Sequence, residues 1–184
     1  MVFWAHLALE FERTLKLSVL GWSSLRAKSP LALGKEKLTR LHFYFHDIVS
    51  GKKPTAITIA QASTTNQSST LFDLLYMADD PLTQGPELTS KIVGRAQGLY
   101  GSADQQQLGH ILAMSFGFTY GKYNGSTLSI FGRNPALNLV REMPIVGGTG
   151  AFRLARAVAF AKTYWLNITS GDVIVEYNVT VIHY

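Results

Sequence analysis

The sequence contains no cysteine, which removes disulfides, thiolate nucleophiles and cysteine-based zinc sites together. No run approaches the roughly 20 consecutive apolar residues that a membrane-spanning helix needs. Charge is also scarce, at 16% against 47% hydrophobic residues, which is the balance of one folded domain rather than a disordered chain. The net charge of +5 sits in one place: residues 1–40 carry seven Lys/Arg against three Glu, leaving ten bases and nine acids in the other 144 residues. Basicity therefore belongs to the leader and not to a face of the fold, which argues against a nucleic-acid partner. The five histidines show no metal-ligand spacing, and no Gly-x-Ser-x-Gly elbow is present. "VGGTGAF" (146–152) fails both the dinucleotide fingerprint and the P-loop, and reads as a glycine turn between strands. No cofactor and no metal are expected.

What the chain does have is period two. From Leu41 onward, "LHFYFHDIV" (41–49), "AITIAQAST" (56–64), "LFDLLYMADD" (71–80), "SKIVGRAQGLYGSA" (90–103), "HILAMSFGFTYG" (110–121), "STLSIFGRN" (126–134), "VREMPIVGG" (140–148), "FRLARAVAFAKTYWLN" (152–167) and "DVIVEYNVTVIHY" (172–184) alternate as strands do, with turn residues between them. Asn124-Gly125 reads as a two-residue hairpin turn. Eight or nine strands with short connections mean an antiparallel all-β domain, either a sandwich or a closed barrel. A barrel of about eight strands leaves room for one small ligand. The domain is placed at residues 39–184, after a leader (1–38) whose apolar stretch is interrupted by Glu10, Glu12, Arg13 and Lys16. Four Asn-x-Ser/Thr sequons, at Asn66, Asn124, Asn167 and Asn178, point to the secretory pathway.

Alternation sorts side chains into faces. Phe43, Phe45, Asp47 and Val49 share one; Gly94, Ala96, Gly98 and Tyr100 another; then Met114, Phe116, Phe118 and Tyr120; then Phe152, Leu154, Arg156, Val158 and Phe160, with Ala155–Ala161 smooth on the reverse. If these faces line one hollow, it is aromatic with a carboxylate, a guanidinium and one or two phenols, the make-up of a small-molecule pocket. The alternatives are a structural carboxylate at Asp47, a cross-strand ion pair at Arg156 and an ordinary core tyrosine at Tyr100. A carboxylate stripped of water without a partner costs several kcal/mol, so Asp47 is the residue to explain.

Taken in order, "FYFHDIVSG" (43–51), "DDPLT" (79–83), "VGRAQGLY" (93–100), "YNGSTLSIFGRN" (123–134), "REMPIVGGTGAFRLARAVA" (141–159) and "VEYNVTVIHY" (175–184) make residues 35–184 resemble the plant dirigent family. The resemblance implies an eight-stranded antiparallel barrel of the allene oxide cyclase (calycin) type, usually a homotrimer, secreted to the apoplast and glycosylated. It implies stereoselective coupling of phenoxy radicals, such as those of coniferyl alcohol, supplied by a separate laccase or peroxidase in lignan and phenylpropanoid biosynthesis. Its alternatives are a pterocarpan-synthase-like dehydrating cyclase working through a quinone methide, and a defence-related binding protein that catalyses nothing. Whether the chain is an enzyme stays open at this point. By the same resemblance Asp47 is the acid or hydrogen-bond donor, Tyr100 the pocket phenol and Arg156 the stabiliser of a phenolate. Asp79 and Asp80 belong to the pocket region, with Phe43, Phe45, Phe116, Phe118, Tyr120, Phe152 and Phe160 lining it. Ala151 stands where pinoresinol-forming members have Asp, and no cysteine lies near either end of the domain. Both departures place the chain among dirigent-like members whose substrates are mostly unassigned.

Overall fold

The computed structural model describes residues 34–184, and the compact barrel unit begins at Lys35. Apart from residues 34–38, the leader assigned to 1–38 lies outside the described residues. The strands are β1 (Lys37–Asp47), β2 (Ala56–Ala60), β3 (Leu75–Thr83), β4 (Ile92–Ser102), β5 (Gly109–Phe118), β6 (Thr127–Pro135), β7 (Val140–Thr149), β8 (Arg156–Leu166) and β9 (Val173–His183). They form one antiparallel sheet in the order β1-β9-β8-β7-β6-β5-β4-β3-β2, and β1 also pairs with β3. That last pairing closes β1 and β3–β9 into an eight-stranded barrel without free edges in the ring. Short β2 is the ninth strand. It continues along the same side of β3 that β1 occupies, after an excursion over 48–55.

The closing seam is short: only Tyr44 with Thr83 and Phe45 with Leu82 are in register. His46, buried on the outer face there, meets the Thr83 hydroxyl at 2.6 Å, and Thr83 donates to the Gly85 carbonyl at 2.7 Å. Because that hydroxyl is already a donor, His46 Nε2 carries the proton of the first contact.

Along the axis the interior is packed rather than hollow. Phe43 stacks on Tyr177 (5.6 Å between ring centroids) and meets Phe116 edge-on at 5.4 Å, with Leu128, Ile130 and Met143 fully buried around them. Such ring pairs add about 0.5–1.5 kcal/mol each beyond burial. Room for them comes from β8. Ala155, Ala159 and Ala161 are buried, whereas Arg156, Phe160 and Lys162 face out. The smooth alanine face thus lines the interior, the reverse of the phase expected for this strand. Alternation gave two self-consistent faces, and the large rings from β1, β5 and β9 decide that the small one is inside.

At Gly98 a Cβ would fall 2.2 Å from the Ala113 carbonyl oxygen, so the glycine lets β4 approach β5 closely. The β5–β6 connection also differs from the two-residue hairpin. Asn124 lies at φ −52° and Gly125 at +79°, with Ser126 N–H donating to the Tyr123 carbonyl, which is a type II turn following a 3-10 turn at Gly121–Tyr123.

Candidate functional site

Antiparallel order puts the C-terminal ends of β1, β4, β6 and β8 and the starts of β3, β5, β7 and β9 at one mouth of the barrel. The inward side chains there are polar. On β1, Asp47 is the last residue and only 7% exposed; on β3, Asp80 is 0% exposed. The seam register, carried two residues beyond Phe45–Leu82, sets these two acids opposite each other across the join between β1 and β3. Asp47 Oδ1 and both Asp80 oxygens complete no hydrogen bond among the described residues. Burial in that condition disfavours the charged form of a carboxylate.

The ionisation equilibria follow. Burial pushes the Asp47 carboxyl up to about 6, with hydrogen bonding from the Tyr100 phenol pulling it back and the Asp172 charge adding to the rise. Burial first and the Asp47 charge second push Asp80 up to about 8, with Thr55 and Arg95 acting the other way. Two neighbouring acids of this kind titrate as a pair, and burial together with their mutual repulsion makes the pair hold a proton to higher pH than a free carboxyl does. Tyr100, buried and facing Asp47, is raised well above the usual phenol range, first by burial and then by the Asp47 charge. Its ring stacks on Tyr76 at 4.9 Å.

The opposite wall is basic. Arg141 on β7 points inward and is 3% exposed. Its guanidinium donates to Thr163 Oγ1 at 2.8 Å and to the Asn138 carbonyl at 3.2 Å, while its Nε donates to nothing and no carboxylate pairs with it among the described residues. His110 on β5 lies against Tyr100 (centroids 5.6 Å) and pairs in register with Asn134 on β6, whose buried Oδ1 is also unpartnered. Burial and the Arg141 charge hold the His110 imidazole below its ordinary value, so it is neutral at pH 7. A cleft of about 360 Å³ opens at the β4–β5 hairpin, lined by His110, Gly109, Gln105, Gln106, Asp104 and Arg133 among others. Asp47 and Asp80 do not line it. His110 is the side chain common to the cleft and the buried cluster.

Of the residues named from sequence, the mouth brings together Asp47, Tyr100 and Asp80. Phe43, Phe45 and Phe116 form the packed middle, and Phe118 and Phe152 close the far end, where their rings lie 5.8 Å apart. Four residues do not belong to the interior. Arg156, its side chain 69% exposed, pairs with Glu36 at 2.9 Å on the outer surface, because the alanines hold the inner phase of β8. Phe160 faces out for the same reason, 40% exposed. Asp79 points out one residue before Asp80 and pairs with Arg95. Tyr120 lies beyond the end of β5, exposed, under the Lys91 ammonium. The sequon residues Asn66, Asn124 and Asn178 are exposed, and Asn167 is half-buried with its Oδ1 accepting from the Thr169 and Ser170 amides.

The guanidinium of the site is therefore Arg141, and His110, Asn134 and Tyr177 were not singled out from sequence. The signal was present. His110 is in phase with Met114, Phe116 and Phe118, and Arg141 alternates with Met143 and Ile145 while Glu142 and Pro144 take the other phase.

Comparison with known proteins agrees with this architecture. Residues 38–182 match the family model described as dirigent-like protein. The chain is 60% identical over 148 residues to dirigent protein 21 of Arabidopsis thaliana, covering 80% of this chain and 78% of that protein. It is 48% identical to pterocarpan synthase 1 of Glycyrrhiza echinata over 185 aligned positions, covering 99% of this chain and 97% of the relative. The solved structure of the pterocarpan synthase dirigent protein GePTS1 superposes with a TM-score of 0.81 at 49% identity, covering 86% of this chain and 99% of the other.

Proposed function

The chain belongs to the plant dirigent-like family, and from that premise we infer that it is a dehydrating cyclase. It takes a phenolic alcohol of the isoflavanol type through a quinone methide to a closed ring, a reading supported by relatives at 48–49% identity that are named pterocarpan synthase. The observation that carries this reading is the acid pair: Asp47 and Asp80 face each other, buried and with unpartnered oxygens, across the β1–β3 seam, where burial raises both carboxyls and Asp80 the more. Expelling a hydroxyl as water needs a proton donor that is still protonated at working pH. Asp80 supplies it. Arg141, a buried cation without a carboxylate, stabilises the negative charge that builds on the phenol oxygen as the quinone methide forms. Tyr76 and Tyr100 give the aromatic substrate a stacked surface to lie on.

Radical coupling of monolignols is the second reading, favoured by the 60% identity to a protein named dirigent. Stereocontrol there asks for shape alone, since about 1.4 kcal/mol between competing arrangements gives tenfold selectivity. It leaves the buried proton on Asp80 without a task. Incubation with isoflavanols alone, and with coniferyl alcohol plus laccase, followed by chiral chromatography, separates the two. Turnover in the first tube supports the cyclase; optically active product only in the second supports coupling with an external oxidase; neither leaves the binding reading.

Export to the apoplast, glycans on the sequons and a homotrimer complete the proposal. The trimer is supported by an outer apolar row in register across five strands: Ile57, Met77, Leu99, Ala113 and Phe131. Ile57, Met77 and Phe131 are exposed.

A further inference from the structure

His110 has no part in the chemistry described above, yet it lines the cleft and touches Tyr100, the phenol that faces Asp47. Its ring lies against Tyr100, and its register partner Asn134 leaves a buried oxygen unpartnered. The groups facing it are Tyr100 from β4, Asn134 from β6, Arg141 from β7, and Asp104 with Arg133, which are ion-paired to each other across the same cleft. The only free charge among them is the Arg141 guanidinium.

Dehydration through a quinone methide moves protons at two places. One is the carbon that loses water and then accepts the second hydroxyl. The other is the phenol oxygen conjugated with that carbon, which loses a proton and later regains it. The acid pair serves the first place. We propose that His110 serves the second, taking the phenol proton as the quinone methide forms and returning it when the ring closes.

The step balances without an oxidant. The carbon–oxygen bond breaks with its electron pair on oxygen, which leaves as water carrying the Asp80 proton. The phenol proton passes to the imidazole and the phenol oxygen becomes the carbonyl of the quinone methide. The second hydroxyl adds to the same carbon, its proton returns to Asp80, and the carbonyl oxygen recovers its proton from His110. A neutral imidazole suits this task because it accepts a proton at pH 7. Arg141 favours phenolate over phenol, and the arriving negative charge offsets the Arg141 charge that, after burial, keeps His110 neutral.

The inference rests on the cyclase reading, but its test need not. Protein with ¹⁵N-labelled histidine is titrated with 4-nitrophenol, whose phenolate is yellow. The expected result is a bound phenolate with a protonated His110 ring, and a bound-phenol ionisation midpoint that rises by about one unit in His110→Gln. Bound neutral phenol with neutral His110, an unchanged midpoint in His110→Gln, or no binding at all overturns the proposal. In the isoflavanol assay, His110→Gln loses about 100-fold in kcat on the ordinary substrate and regains most of it on an ortho-fluorinated phenol that ionises more readily. Wild-type protein that ionises 4-nitrophenol onto His110 but converts no isoflavanol removes the cyclase reading and leaves the His110 assignment standing. Turnover unaffected by His110→Gln does the opposite.

Discussion

The two ends of this barrel are built from the same eight strands and the same alternation, and they come out opposite. At one end Phe118, Tyr123, Phe152 and His183 fold over the axis, Phe152 lying 4.8 Å from Tyr123 and 5.3 Å from His183. The polar atoms there satisfy one another: the Thr39 hydroxyl reaches Tyr123 Oη at 3.0 Å and His183 Nε2 at 2.9 Å, leaving one buried orphan, His183 Nδ1. At the other end Asp47, Asp80, Asn134 and Arg141 together leave five buried polar atoms unpartnered among the described residues. Native interiors pair their buried polar groups, so a cluster of orphans costs stability and persists where something else selects for it. The first end is a plug and the second is the candidate site.

Substitutions at the two ends separate these roles. Asp80→Asn removes the stored proton and lowers turnover by about 100- to 10,000-fold in the cyclase assay, the range for loss of a general acid, while chemical denaturation shows stability unchanged or higher. Phe152→Ala reverses the pattern: denaturation reports a loss of about 3–5 kcal/mol, with activity per folded molecule retained. If Phe152→Ala abolished activity in folded protein, the division between the ends would be wrong.

The acid pair also gives stability a pH dependence. The folded pKa of Asp80 lies above its unfolded value of 3.8, so between that value and about 8 the folded state binds more protons than the unfolded one. Stability from this group is complete below the unfolded value and is lost as pH rises through the folded one. Thermal melts should therefore show Tm falling across that interval, and Asp80→Asn should flatten the fall. A Tm that rises from pH 4 to pH 8 would contradict the assignment. The smallest effect belongs to Arg156→Ala. Its exposed pair with Glu36 is worth about 0–1 kcal/mol, and product formation should not change.

Much of the fold was legible because alternation is a local property. The strands, their antiparallel pairing and the shared phase of Asp47, Tyr100 and the β5 aromatics with their apolar neighbours follow from period two, while the barrel rather than a sandwich came from the family resemblance. Three things were not local. Which face of β8 lies inside depends on the volume of rings from other strands, so Arg156 and Phe160 were placed on the wrong side. The neighbourhood of Asp47 and Asp80 depends on the β1–β3 register, set by a seam of two residue pairs far apart in the chain. The stops of strands were the third: Tyr120 keeps the phase of Phe118 only if β5 continues, and a 3-10 turn ends it. Arg141 and His110 were readable by phase alone, since each alternates with apolar residues that had to be internal.

The protonation of Asp80 decides the account. Infrared difference spectroscopy of wild type against Asp80→Asn, with ¹³C-labelled aspartate, reads it directly. The account predicts a protonated-carboxyl C=O band at neutral pH that belongs to Asp80 and disappears only as pH climbs through about 8. A spectrum in which Asp80 is already fully ionised at pH 6, with no such band, would contradict it.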